Sequence, residues 1–315
     1  MVFDSNKASG DAIDMADLYD RIGAVLVDES RPMKERFRAL FTLRNLPGKK
    51  SVDVIARGFK DSSALLKHEC AYCLGQMRDP YAVDVLISVI EDLSQEPIVR
   101  HEAGEGLAAI SDARALPVLK RFANDPNREV SETCQLALER LEWIQKNPEK
   151  LSLLTSQYLS HDPTPCSEEK DEIVLERQLL DEKETLFNRY SAMFALRNIG
   201  SDAAVRALTK GLNSGGALFR HEIAYVLGQI QSPLSVKELS NALADDKQDP
   251  MVRHECADAL GSIADEYGSN MLKRYLNDPE RVVRESCEIG LDMAEYENSG
   301  EFQYANSLEM VQQSS

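Results

Sequence analysis

From residue 18 onward the chain runs in short blocks whose apolar residues recur at three- and four-residue spacing, each block closed by Asp, Pro, Gly or Asn. Such spacing puts one apolar stripe on an α-helix, and the closing residues cap or stop it. The blocks predict helices near 18–28, 31–46, 50–60, 62–77, 81–94, 97–110, 113–124 and 127–145. Asp249-Pro250 reads as an N-cap followed by proline in the first helical turn. Strand signals are nearly absent, so the chain reads as all-α.

The pattern repeats on two scales. Arg36–Leu46 matches Arg189–Ile199, Leu65–Met77 matches Leu218–Ile230, and Pro97–Ile110 matches Pro250–Ile263, all at an offset of 153 residues. Inside each copy a shorter period of 31 to 33 residues holds two helices. A helical pair of that size cannot bury its apolar face alone and must stack on its neighbours. The expected fold is an all-α, HEAT-like α-solenoid of eight helical pairs in two duplicated halves. Its expected divisions are an N-terminal extension over 1–17, a first half over 18–146, a flexible linker over 147–170, a second half over 171–296 and a tail over 297–315. The linker is rich in Ser, Thr, Pro and charge, which predicts a solvated segment. The tail reads as dispensable.

Histidine use changes the picture from scaffold to site. Four of the five histidines stand in His-Glu pairs, at His68-Glu69, His101-Glu102, His221-Glu222 and His254-Glu255. The pairs lie 33 residues apart in each copy, at the 153-residue offset between copies. The outer repeats act as an internal control. One repeat before the first pairs stand Phe37 and Tyr190, and one repeat after the second pairs stand Glu132 and Glu285. Helical pairs therefore form without histidine at this position, so the imidazoles are there for chemistry. Four imidazoles and up to four carboxylates, without thiolate, predict a metal site with room for two ions on the inner surface. Non-haem iron suits that donor set, while manganese or zinc pairs remain chemically possible. One turn after the histidines come Tyr72, Glu105, Tyr225 and Asp258, placed to orient the imidazoles or, for the tyrosines, equally to pack. His161 has no symmetry mate and is expected in solvent.

Composition narrows the class further. With 53 acidic against 36 basic residues the net charge is −17, which argues against general nucleic-acid binding and suits a cationic partner. The first residues carry neither a secretory signal nor a transit peptide, and no apolar run of about 20 residues could span a bilayer. A cytoplasmic protein, or one also nuclear, is expected. The six cysteines fall mostly in apolar helical blocks and read as reduced packing residues. Cys70 and Cys73 have the spacing of a redox or zinc half-motif, but Ile223 and Val226 occupy those positions in the second copy.

The segments LLKHECAYCLGQM, EPIVRHEAGEGLAAI, ALFRHEIAYVLGQI and DPMVRHECADALGSI resemble the deoxyhypusine hydroxylase family, over both copies and with all eight His-Glu residues in place. The resemblance implies a non-haem monooxygenase with two Fe(2+) per chain. Its substrates would be dioxygen and the deoxyhypusine side chain of a eukaryotic translation initiation factor, and an unidentified electron donor would supply reducing equivalents. It also implies His68, His101, His221 and His254 as imidazole ligands. Glu102 and Glu255, in identical VRHE contexts, are the preferred carboxylate ligands; Glu69 and Glu222 are expected to support the ligands or meet the substrate ammonium. Each copy would supply half the site, and a monomer is expected. The rival readings are a non-enzymatic solenoid scaffold and a di-zinc or di-manganese hydrolase.

Overall fold

The computed structural model describes residues 15–307 except residue 47. The first copy contains α1 (Met15–Val27), α2 (Met33–Asn45), α3 (Lys49–Ala56), α4 (Ala64–Met77), α5 (Val83–Glu91), α6 (Pro97–Ile110), α7 (Leu116–Phe122) and α8 (Arg128–Lys146). The second contains α9 (Glu172–Leu180), α10 (Leu186–Ile199), α11 (Asp202–Gly211), α12 (Ala217–Ile230), α13 (Val236–Ala244), α14 (Pro250–Ile263), α15 (Glu266–Arg274) and α16 (Arg281–Glu297). Short 3₁₀ turns join several of them, and no strand occurs among the described residues. These are the eight helical pairs that the apolar spacing predicts.

Local chemistry sets the helix ends. The Ser63 hydroxyl accepts the Leu66 N–H at the start of α4, and Asp249 accepts the Met251 N–H at the start of α14. The four helices that carry His-Glu pairs each end on a left-handed residue, Arg78, Ser111, Gln231 or Ala264, which turns the chain sharply toward the outer helix.

The even-numbered helices pack side by side as an inner row, with α4 on α6 on α8 and α12 on α14 on α16. Small residues let them approach: a Cβ on Gly75 of α4 would lie 2.6 Å from the Gly106 Cα of α6. At one seam α8 meets α10 and α12; at the other α16 meets α2 and α4. The row therefore closes on itself, and every His-Glu pair faces a common centre. Glu285, which stands where the repeat could place histidine, instead accepts a hydrogen bond from Ser63 Oγ at 2.6 Å across the second seam.

Two segments differ from their sequence reading. Residues 147–170, expected as a flexible linker, are built into the ring: Ser160, Asp162 and Thr164 are buried. Asp162 pairs with Arg197 of α10 at 2.6 Å, with side chains 1% and 0% exposed, and its carbonyl accepts from Arg140 Nε of α8 at 3.1 Å. The polar composition that reads as solvated is here satisfied internally. His161, expected in solvent, is half-buried, and its backbone N–H donates to Gln76 Oε1 at 3.1 Å. The described part of the tail, 298–307, also docks. Glu301 and Asp292 hold Arg38 of α2, both at 3.0 Å, and the Ser307 N–H donates to Thr42 Oγ1 at 3.2 Å. Residues 1–14 of the N-terminal extension and 308–315 of the tail lie outside the described residues.

Candidate metal centre

Each histidine of the four His-Glu pairs is preceded by a basic residue: Lys67, Arg100, Arg220 or Arg253. Arg100 is buried, donates through Nε to the Ile90 carbonyl at 3.0 Å and pairs with Asp125 at 2.6 Å. Arg253 does the same with the Leu243 carbonyl at 2.9 Å and Asp278 at 2.5 Å. These anchors lock the rotation of α6 and α14, so the next residue, His101 or His254, turns to the centre. The pairs were not read from the sequence, although Arg-His followed by Asp 25 residues after the arginine in both copies was a usable signal.

The four imidazoles form one cluster from two copies. Ring centroids lie 5.6 Å apart for His68 and His101 and 5.2 Å apart for His221 and His254. Across the copies the spacings are 5.2 Å for His68 and His254 and 5.4 Å for His101 and His221. Glu102 lies between its own two histidines, 3.4 Å from His68 Nε2 and 3.9 Å from His101 Nε2. Glu255 repeats this at 3.3 Å from His221 Nε2 and 4.0 Å from His254 Nε2. The structure thus brings together two His-His-Glu triads.

Glu69 and Glu222 sit differently. Glu69 stands 3.3 Å from His68 Nδ1, and both carboxylates line the cavity beside the triads. Glu105 comes close enough to His101 and Glu102 to share an ion with them. Asp258 stands 3.5 Å from His254 Nδ1. The Tyr72 and Tyr225 hydroxyls meet at 3.3 Å between the copies, and Gln229 donates to the latter at 3.0 Å. The two tyrosines thus face each other across the centre.

All eight ring nitrogens of the four histidines are buried without a hydrogen-bond partner. Leaving a buried polar atom unsatisfied costs about 1–3 kcal/mol each, a penalty that ligation removes at one nitrogen of each ring. The donor set and these unpartnered nitrogens fit metal ions. Burial, reinforced by neighbouring imidazoles, lowers the pKa values of His101 and His254, favouring the neutral ligating form. Burial also opposes charge on His68, but Glu102 and Glu69 outweigh it and raise its pKa. Burial, then surrounding carboxylates, raises Glu105, Glu222 and Asp258 well above the usual range. The six cysteines are all free, and Cys70 and Cys73 are buried in the apolar core of the first copy.

A closed ring of helical pairs around paired His-His-Glu triads defines a repeat protein with a buried candidate metal centre. Its sequence matches the profiles of HEAT repeats over 86–166 and 219–292 and of PBS lyase HEAT-like repeats over 66–92 and 189–214. It is 56% identical to deoxyhypusine hydroxylase of Rattus norvegicus over 93% of this chain and 96% of that one, and 59% identical to the Xenopus laevis enzyme over 92% and 95%. The structure of human deoxyhypusine hydroxylase in complex with glycerol superposes with a TM-score of 0.87 at 53% identity, covering 89% of this chain and 97% of that one. The chain belongs to the deoxyhypusine hydroxylase family.

Proposed function

We propose that this chain hydroxylates the deoxyhypusine side chain of a translation initiation factor, completing hypusine, and that it does so as a non-haem monooxygenase with two Fe(2+). The observation that carries the metal assignment is the set of eight unpartnered ring nitrogens beside two symmetric carboxylates. His68, His101 and Glu102 hold one ion; His221, His254 and Glu255 hold the other. Iron bound there supplies the redox chemistry by which dioxygen hydroxylates an unactivated carbon, with electrons from an external donor.

The protein's own groups do the rest. Arg100 and Arg253, anchored on Asp125 and Asp278, fix the directions of His101 and His254. Glu69 stands 3.3 Å from His68 Nδ1 and lines the cavity, where it meets a substrate ammonium. Glu222 lines the same cavity from the second copy, and burial followed by the surrounding carboxylates raises its pKa. Deoxyhypusine is a lysine extended by an aminobutyl group, so its amines are cationic at neutral pH, and the chain's −17 charge attracts them. The cavity, about 510 Å³, admits such an unbranched chain.

A monomer suffices, since one chain closes the ring. No described helix is long and apolar enough to cross a membrane. We place the protein in the cytoplasm, or there and in the nucleus. The decisive test combines iron analysis with turnover. The purified chain should hold two irons and hydroxylate a deoxyhypusine-bearing initiation factor in the presence of dioxygen and reductant. Two zinc ions with no consumption of dioxygen would overturn the assignment.

A further inference from the structure

The two copies are related by a pseudo-twofold axis through the histidine cluster, so a substrate could in principle approach from either seam. The structure breaks that equivalence. On the side of α8 and α10 the inter-copy segment fills the space, with Ser160, Asp162 and Thr164 buried. Arg140 lies across it, donating to the carbonyls of Asp162 and Ala108 at 3.1 and 2.6 Å. The residue equivalent to Arg140 in the second copy is Met293, and Met293 lines the open cavity. Likewise Tyr296 and Glu297 line it, whereas their equivalents Trp143 and Ile144 do not. The cavity therefore lies mainly toward the seam between α16 and α2, under the docked tail.

Charge separates the two sides in the same sense. Beside the plug stand Arg197, Arg140 and Arg78 against the carboxyls of Asp162 and Glu105. Beside the tail, Arg38 faces Asp292 and Glu301, and Glu297 on the cavity wall has no cation among the ion pairs of the described residues. Three aromatic rings complete this end. Tyr304 packs edge-on against Tyr296 with centroids 5.5 Å apart and against Phe41 at 6.0 Å. The Tyr304 hydroxyl is buried without a hydrogen-bond partner, and the Arg38 guanidinium, held by Asp292, lies over the Tyr304 ring at 4.7 Å.

Resting on the function proposed above, we infer that Tyr296, Glu297 and Tyr304 form the subsite for the terminal alkylammonium of the substrate chain. The Tyr296 ring and the Glu297 carboxylate bind an ammonium through cation–π and ionic attraction, while Tyr304, whose ring already carries Arg38, offers its hydroxyl. The hydrogen-bonding capacity left on Tyr304 serves the same group. The terminal ammonium then points toward the tail. The segment that reads as dispensable in the sequence becomes the specificity element.

The test uses the iron-loaded protein without dioxygen and two probes, N-butylputrescine and dibutylamine, which differ in the terminal amine. Calorimetry on the native chain should show preference for N-butylputrescine. Glu297→Gln, at an exposed position that threatens no packing, and Tyr304→Leu should each reduce that preference by about tenfold, leaving dibutylamine binding and iron content unchanged. With the deoxyhypusine-bearing factor, KM should rise while kcat holds. Tyr304→Phe, which keeps the ring and its packing and removes only the hydroxyl, should also lower the preference with iron content unchanged, and so separates recognition from folding. The subsite is overturned if the preference survives in both Glu297→Gln and Tyr304→Leu, or if Tyr158→Leu on the plugged side removes it instead. A native chain that prefers N-butylputrescine but fails to hydroxylate the factor would refute the proposed function and leave the subsite standing.

Discussion

At the scale of single residues, adjacent positions on one helix divide the work. Glu102 lies between two imidazoles, while Glu69 touches one imidazole and the cavity. Glu102→Ala should lose iron outright, whereas Glu69→Ala should keep more of it yet lose turnover; metal analysis beside a rate assay separates these, and equal iron loss in both would end the division. The pH behaviour follows from the same burial. Glu105, Glu222 and Asp258 have raised folded-state pKa values, so in the metal-free chain their contribution to stability is complete below the unfolded values of about 3.9–4.3 and is lost as pH climbs through the folded ones. Metal binding favours ionised carboxylates and neutral imidazoles, so it offsets that loss and is opposed by acid. The gain in Tm on adding iron should be larger near pH 8 than near pH 6, measured without oxygen; a gain that shrinks with rising pH would contradict the burial argument. The His-Glu pairs were legible in the sequence because duplication provides its own control. Glu105 and Asp258 were legible only as one-turn neighbours, since spacing along a helix reports a shared face and not which carboxylate reaches which nitrogen.

At the scale of elements, the helices were legible because apolar periodicity is a local signal, and each predicted block became a helix. Their rotation about their own axes was not, because it depends on pairs such as Arg100 with Asp125 and Arg253 with Asp278 that cross from one helix to the loop before another. Removing one partner leaves an uncompensated buried charge, which costs about 3–5 kcal/mol. Asp125→Ala should lower the urea midpoint accordingly and weaken metal retention, although Asp125 touches no metal ligand. Unchanged metal affinity in a folded Asp125→Ala chain would show that α6 is oriented by apolar packing alone.

At the scale of the whole molecule, the packing of the linker and the docking of the tail share one cause. Composition describes how a stretch behaves in water, and residues 147–170 and 298–307 are polar because they bind other polar groups far along the chain. Arg38 with Asp292 spans a separation of 254 residues, beyond the reach of periodicity or propensity. Each copy contributes two imidazoles and one central carboxylate, so residues 1–150 expressed alone should not show the magnetic coupling of an iron pair. Mössbauer spectra of that fragment displaying a coupled pair would refute the shared site. Closure of the ring also has a consequence for biosynthesis. Residues 281–307 form one face of the second seam, so the circle stays open until they have left the ribosome. At a synthesis rate of about 5–20 residues per second, His68 waits on the order of ten seconds or more for His254, its apolar inner wall meanwhile available to chaperones. A premature stop within α16 would thus leave an open arc, marked for degradation however well its earlier repeats fold.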